Sequence, residues 1–157
     1  SLCGLGRLMF QSNSQRSLTE VVKLVSAFDP AVDNKHPDFN YDEYVKTGDT
    51  KFIPVRDGGT ATIFHLRPLG SKSWMKATAE PTRDERVYRL VQFSLIAVEN
   101  WSVDGSPLTI VRKTVDGIEQ VERKCLDKMY DPDLFLELGG RVAMISRIDP
   151  LRSLGSD

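Results

Sequence analysis

His36, His65, Cys3 and Cys125 are the residues of this chain best suited to hold a metal or carry a nucleophile, so their spacing comes first. His65 stands in the run TIFHLRPL and His36 in AVDNKHPDFN, with no cysteine beside either. A protein metal site needs three or four converging ligands, and this spacing supplies no such set. Cys3 and Cys125 are too far apart in sequence to read as a disulfide framework, which favours a reducing compartment. A phosphate cradle is the chemistry suggested by Asp57-Gly58-Gly59 within FIPVRDGGTATIFHLRPLG. A phosphate-binding loop, however, needs the spacing GxxxxGK[ST] and a helix whose N-terminus meets the anion. Here the residues after Gly59 alternate as a strand and then reach Pro68, so a turn is the better reading. The triplet at residues 4–6, GLG, has neither a strand before it nor a helix after it. No serine sits in a GxSxG elbow, and the 22 acidic residues show no spacing that selects a catalytic pair. The chain is therefore expected to be non-enzymatic and to need no cofactor.

The basic residues suggest a second chemistry. Arg67, Lys72 and Lys76 surround Trp74, a combination that can hold a nucleic acid by charge and stacking. A solvated loop pinned to the core by Trp74 explains the same residues with less. The net charge of −1 also argues against a general nucleic-acid or membrane-surface binder. Trp101, in the run ENW, reads as an anchor at a helix end.

The elements that must position these residues follow from pattern and punctuation. Residues 18–28 fit either a short strand or an amphipathic helix, ended by Asp29-Pro30. Asn40 caps a short helix that closes at Gly48, with Tyr41, Tyr44 and Val45 on its inner face. Residues 51–56 and 60–67 read as a β-hairpin about Asp57-Gly58-Gly59, and Pro54 marks the first strand as an exposed edge. Residues 82–101 form the best helical pattern, with Thr82 and Glu85 as a capping box and an apolar face running from Val87 to Trp101. The following NWSVDGSP reads as loop. Asp116-Gly117 predicts a charged hairpin with strands 108–115 and 118–124 on or beyond the surface. A last helix starts at Asp131-Pro132 and carries Leu134, Leu138, Val142 and Ile145 as a stripe. Gly139-Gly140 within it predicts either close packing against another backbone or a break.

The sum is an α+β fold of antiparallel hairpins packed with one central helix and a C-terminal helix. Its 157 residues suit one domain over 18–150, with residues 1–17 as a flexible arm or an appended remnant and 151–157 as a tail. The densest apolar run, residues 90–98, is about half of the roughly 20 residues a membrane span needs.

The order FIPVRDGGTATIFHLRPL, LIAVENW, a variable insert and DLFLELGGRVAMIS resembles small morphogenesis proteins of tailed phages and prophages. The resemblance spans roughly residues 24–147, with TIFHLRPL, VENW and LELG the nearest pieces; the charged hairpin at 108–124 is longer than the usual insert. It implies a virion component or a tail-assembly chaperone or minor tail protein. Its partners would be other virion or assembly proteins, or further copies of itself, in the virion or the host cytoplasm. Pro54, Arg56, His65, Arg67, Arg112 and Lys113 are the expected partner contacts. A small-ligand or peptide-binding domain is the alternative reading. A nucleic-acid contact through Arg67, Lys72, Trp74 and Lys76 is the weaker one.

Overall fold

Alternation of apolar and polar side chains places the central strand. In the computed structural model, which describes residues 20–146, β1 (Val22–Leu24), β2 (Ile63–Leu66) and β3 (Leu95–Glu99) form an antiparallel sheet with β2 in the middle. The expectations for residues 1–17 and 151–157 lie outside the described residues. Phe64 pairs with Leu24 on one side and Val98 on the other, and Leu66 pairs with Val22 and Leu95. Leu24, Phe64, Leu66 and Leu95 are all at most 2% exposed, as the alternation of β2 required. A register shift between His65 and Leu66 leaves Ile96 as the extra residue of β3.

The hairpin expected about Asp57-Gly58-Gly59 does not form. Both edges of β2 are taken by β1 and β3, while Thr50–Phe52 winds into a short 3-10 turn. Pro54 is accordingly not on an exposed edge strand. Its carbonyl accepts from the Asp33 amide, Arg56 N–H donates to the Ala31 carbonyl, and Val32 and Val55 make an isolated bridge between these bonds. Ile53 and Val32 are both buried by this arrangement. The turn itself survives, with Gly58 at φ 75° and Gly59 N–H donating to the Arg56 carbonyl.

Helix α1 (Tyr41–Thr47) has the expected ends: the Asn40 side chain accepts from Glu43 N–H, and Gly48 is left-handed at φ 73°. Residues 71–78, expected as loop, are instead helix α2 (Ser71–Thr78). Lacking a side-chain cap, it starts at Gly70, where nothing in the local sequence announces a helix. Helix α3 (Arg83–Ser94) begins on the expected Thr82–Glu85 capping box but stops seven residues before Trp101. The chain passes straight into β3, so Val98 and Trp101 belong to sheet and turn rather than to a helical stripe. The run NWSVDGSP is also not plain loop: β4 (Ser102–Val103) and β5 (Ser106–Pro107) form a small hairpin across Asp104-Gly105.

The second expected hairpin is present. β6 (Arg112–Val115) pairs with β7 (Ile118–Val121) across Asp116 and Gly117, both with positive φ. Its strands are shorter than the pattern suggested, and the residues after β7 form α4 (Arg123–Asp127). Ile118 and Val121 are buried and β7 packs on α3, so the hairpin lies on the body rather than projecting.

Helix α5 (Pro132–Ser146) is continuous through both glycines. Asp131 caps it, its carboxylate accepting from Asp133 N–H and Leu134 N–H at 2.9 and 3.0 Å. A Cβ at Gly139 would lie 3.0 Å from Val87 Cγ1 of α3, which explains one glycine by close helix approach. Helix α3 is thus the centre of the molecule, flanked by α5, α2 and β7. Phe64, Phe93 and Phe135 fill the core between these layers, each burial contributing roughly 1.5–3 kcal/mol.

Candidate docking site

Two of the expected partner contacts, Arg67 and Arg112, come together, but they face inward. Arg67 Nε donates to the Phe93 carbonyl at 3.1 Å and its Nη2 to the Glu119 carbonyl at 3.0 Å. Arg112 donates to the Leu95 carbonyl, to the Glu119 carbonyl at 3.0 Å, and from Nε to the Glu119 carboxylate at 3.0 Å. Ser94 adds a bond from its hydroxyl to the Arg67 carbonyl at 2.6 Å. The last carbonyls of a helix have no partner within it. Here guanidinium groups supply the donors, and α3 can end inside an apolar run with neither glycine nor proline to stop it. Burial, and then the neighbouring Arg112, hold Arg67 below the usual guanidinium range. The bond from Arg112 and its charge hold the Glu119 carboxyl below the usual carboxylate range.

The cluster expected as a nucleic-acid contact is also spent on the scaffold. Lys72 Nζ donates to the Asp116 carbonyl at 3.1 Å, and Lys76 Nζ lies 3.3 Å from its carboxylate. Two lysines one turn apart on α2 therefore hold the tip of the β6–β7 hairpin. Trp74, between them in sequence, is half-buried against the core, which fits its anchoring role.

The remaining expected contacts are scattered. His65 Nε2 lies 2.5 Å from Glu99 Oε2 across the outer face of β2 and β3, with Lys23 opposite in β1. Arg56 donates to the Pro30 carbonyl, Pro54 is half-buried, and Lys113 is exposed on β6. The structure does not assemble these six residues into one surface.

A different surface is built from residues whose role the sequence pattern did not show. A groove of about 830 Å³ runs between the segment after β1, the turn after β3 and the first half of α5. Phe28, Pro30, Phe64, Trp101, Leu134 and Leu136 give it apolar walls. Phe28 is 81% exposed and Leu136 is 45% exposed, so the groove is open at its rim. Trp101 meets Phe64 edge-on with ring centres 6.1 Å apart, which fixes the floor. Trp101 is therefore a groove residue rather than a helix-end anchor. The visible signal for Leu136 was its place off the stripe of Leu134, Leu138, Val142 and Ile145. Phe28 and Trp101 gave none, because their neighbourhood is made by chain segments distant in sequence.

Four carboxylates, Asp29, Asp131, Asp133 and Glu137, line the same groove, and among the described residues no lysine or arginine does. Three of them are locked in place. Asp29 accepts from Ala31 N–H at 2.9 Å and Thr62 N–H at 2.8 Å, and Asp131 caps α5. Glu137 accepts from the Ser26 hydroxyl at 2.5 Å and from Ala27 N–H at 2.9 Å. The Tyr41 hydroxyl lies 2.9 Å from the Val25 carbonyl and 3.3 Å from Glu137, one proton between two acceptors. Burial, reinforced by the charge of Glu137, pushes the Tyr41 phenol up, so it stays protonated. The groove thus joins an apolar floor to a fixed negative rim.

A smaller cleft of about 330 Å³ lies beside α3, and both of its arginines are engaged within it. Arg89 pairs with Glu80 at 3.2 Å, Arg123 covers the Tyr88 ring at 4.6 Å, and the Tyr88 hydroxyl donates to Asp127 at 2.8 Å. Among the described residues, no group of three or more His, Cys, Asp or Glu could hold a metal ion, and no helix is long and apolar enough to cross a membrane. Compared with protein-family models, curated proteins and solved structures, the chain matches none of them.

Proposed function

We propose that this chain is a non-enzymatic assembly protein of a tailed phage, working in tail or head–tail morphogenesis through protein–protein contacts. The assembly class rests on the resemblance of TIFHLRPL, VENW and LELG and of the order of the segments around them. The mode of action rests on one observation, the open groove whose wall includes Phe28 at 81% exposure. An aromatic side chain left in water beside an aromatic floor is the form of an unoccupied contact surface. The openness of the rim favours a peptide segment over an enclosed small ligand. Nucleic acid is disfavoured because Arg67, Lys72 and Lys76 already serve the scaffold.

Disrupting the gene in a phage that carries it tests the role. Negative-stain microscopy should then show tailless or aborted particles while DNA replication continues. Normal yields of infectious particles without the gene would overturn the reading.

A further inference from the structure

The groove has a chemistry that selects its occupant. Among the described residues it presents aromatic and aliphatic walls, four carboxylates and no cation, although Arg56 holds the Pro30 carbonyl at one end. A complementary segment carries bulky apolar side chains and positive charge with no carboxylate of its own. Residues 2–10 of this chain, LCGLGRLMF, have that composition. They bring Leu2, Leu5, Leu8, Met9 and Phe10 together with Arg7, and residues 1–19 as a whole contain Arg7 and Arg16 but neither Asp nor Glu. Residues 147–157 fit less well, since two arginines are offset there by Asp149 and Asp157.

We infer that the groove between Phe28, Trp101 and Leu136 is the seat of residues 2–10, with Arg7 set against the carboxylate rim. The reach is sufficient. Residues 11–20 can span up to roughly 33 Å at about 3.3 Å per residue, and Ser26 at the groove is six residues beyond Glu20. The segment comes from the same chain or from a neighbouring copy; in the second case the seat links copies and deepens the assembly reading, on which it does not otherwise depend. Apolar contact supplies the attraction and the rim supplies register and selectivity, because a segment with acidic residues would meet like charge.

Cys3 makes the seat testable in the full-length chain by disulfide trapping. Leu136→Cys puts a second thiol on the groove wall, whereas the native Cys125 is buried. Lys113→Cys on the exposed β6 strand serves as the control. Under mild copper-phenanthroline oxidation, Cys3 should trap the Leu136→Cys thiol at least about tenfold faster than the Lys113→Cys thiol, because seated thiols react at high effective concentration. Arg7→Glu should slow the trapping, and adding Asp133→Arg should restore it. Peptide mapping must join Cys3 to the Leu136→Cys thiol, because a Cys3–Cys3 link between copies also has dimer mass. With that join shown, monomer mass identifies the chain's own segment and dimer mass a neighbour's, whereas Cys3–Cys3 as the sole product overturns the seat. Equal rates at Leu136→Cys and Lys113→Cys overturn the inference, as does indifference to Arg7→Glu. The trap is read without phage, so its failure is distinct from failure of the assembly role.

Discussion

The arginine cluster at the end of α3 and the groove beside α5 treat exposed chemistry in opposite ways. At the cluster, charged side chains that looked available in the sequence are turned inward. Arg67 and Arg112 bridge the Phe93, Leu95 and Glu119 carbonyls and hold a helix–strand junction together. At the groove, apolar side chains that a folding chain would be expected to bury stay open, with Phe28 at 81% and Leu136 at 45% exposure. Charge density is therefore a poor guide to function in this molecule. Cations stabilise the scaffold, while the candidate contact surface is apolar with an acidic rim.

Substitution at the cluster should have the largest effect. Arg112→Ala strips the donors from carbonyls near the end of α3 and should lower stability by about 2–4 kcal/mol in urea unfolding. Arg112→Lys should recover only part of that, because one ammonium cannot reproduce a forked guanidinium. A loss below about 0.5 kcal/mol for Arg112→Ala would make the cluster surface decoration and break the comparison. The two glycines of α5 sharpen it from the interior side. Gly139→Val drives carbon into Val87 and should cost about 1–3 kcal/mol, whereas Gly140→Ala meets nothing within 4 Å and should gain about 0.5–1 kcal/mol. Thermal melts of the pair read both signs.

Glu119 should give a smaller, pH-dependent effect. Its folded carboxyl is held below the ordinary carboxylate range by Arg112. A depressed value means that the stabilisation is fully present above the unfolded carboxylate range, about pH 4.3, and is lost as pH falls through the lower folded value. Glu119→Gln should therefore flatten the acid limb of a stability-versus-pH curve and leave its slope above pH 6 unchanged. The groove should respond least. With residues 1–19 removed, so that no seated segment is lost with the side chain, Phe28→Ser and Leu136→Gln should each stay within about 0.5 kcal/mol of the truncated parent in urea unfolding, as expected for side chains that the core does not use. A loss above about 1 kcal/mol for either would place that side chain in the core and erase the contrast.

Local signals were legible wherever their physical cause spans only a few residues. The Asn40 and Thr82 caps, the Gly48 stop, the Asp116-Gly117 hairpin and the Asp131-Pro132 helix start all stand where the sequence placed them. Each depends on a φ value or a side-chain bond reaching no more than about four residues. The alternation of Phe64 and Leu66 likewise named the buried face of β2. Partner choice was not legible. The Asp57-Gly58-Gly59 turn forms as its residues require, yet the strand after it pairs with β1 and β3 instead of with residues 51–56.

The run LVQFSLIAV shows the same division. Its apolar residues satisfy a helical stripe and a buried strand equally well, and the helix ends at Ser94 where Arg67 and Arg112 supply donors and β3 pairs with β2. Those arginines lie 26 and 17 residues from the Phe93 and Leu95 carbonyls that they serve, beyond the range of any local pattern. The groove is still less local, since Phe28, Trp101 and Leu136 meet only after the sheet and α5 have packed. By itself, then, the sequence determined caps, turns and buried faces, because these follow from the backbone and a few neighbouring side chains. Tertiary structure alone decided which strands pair, where α3 ends and which apolar residues remain uncovered, because each depends on contacts between segments distant along the chain.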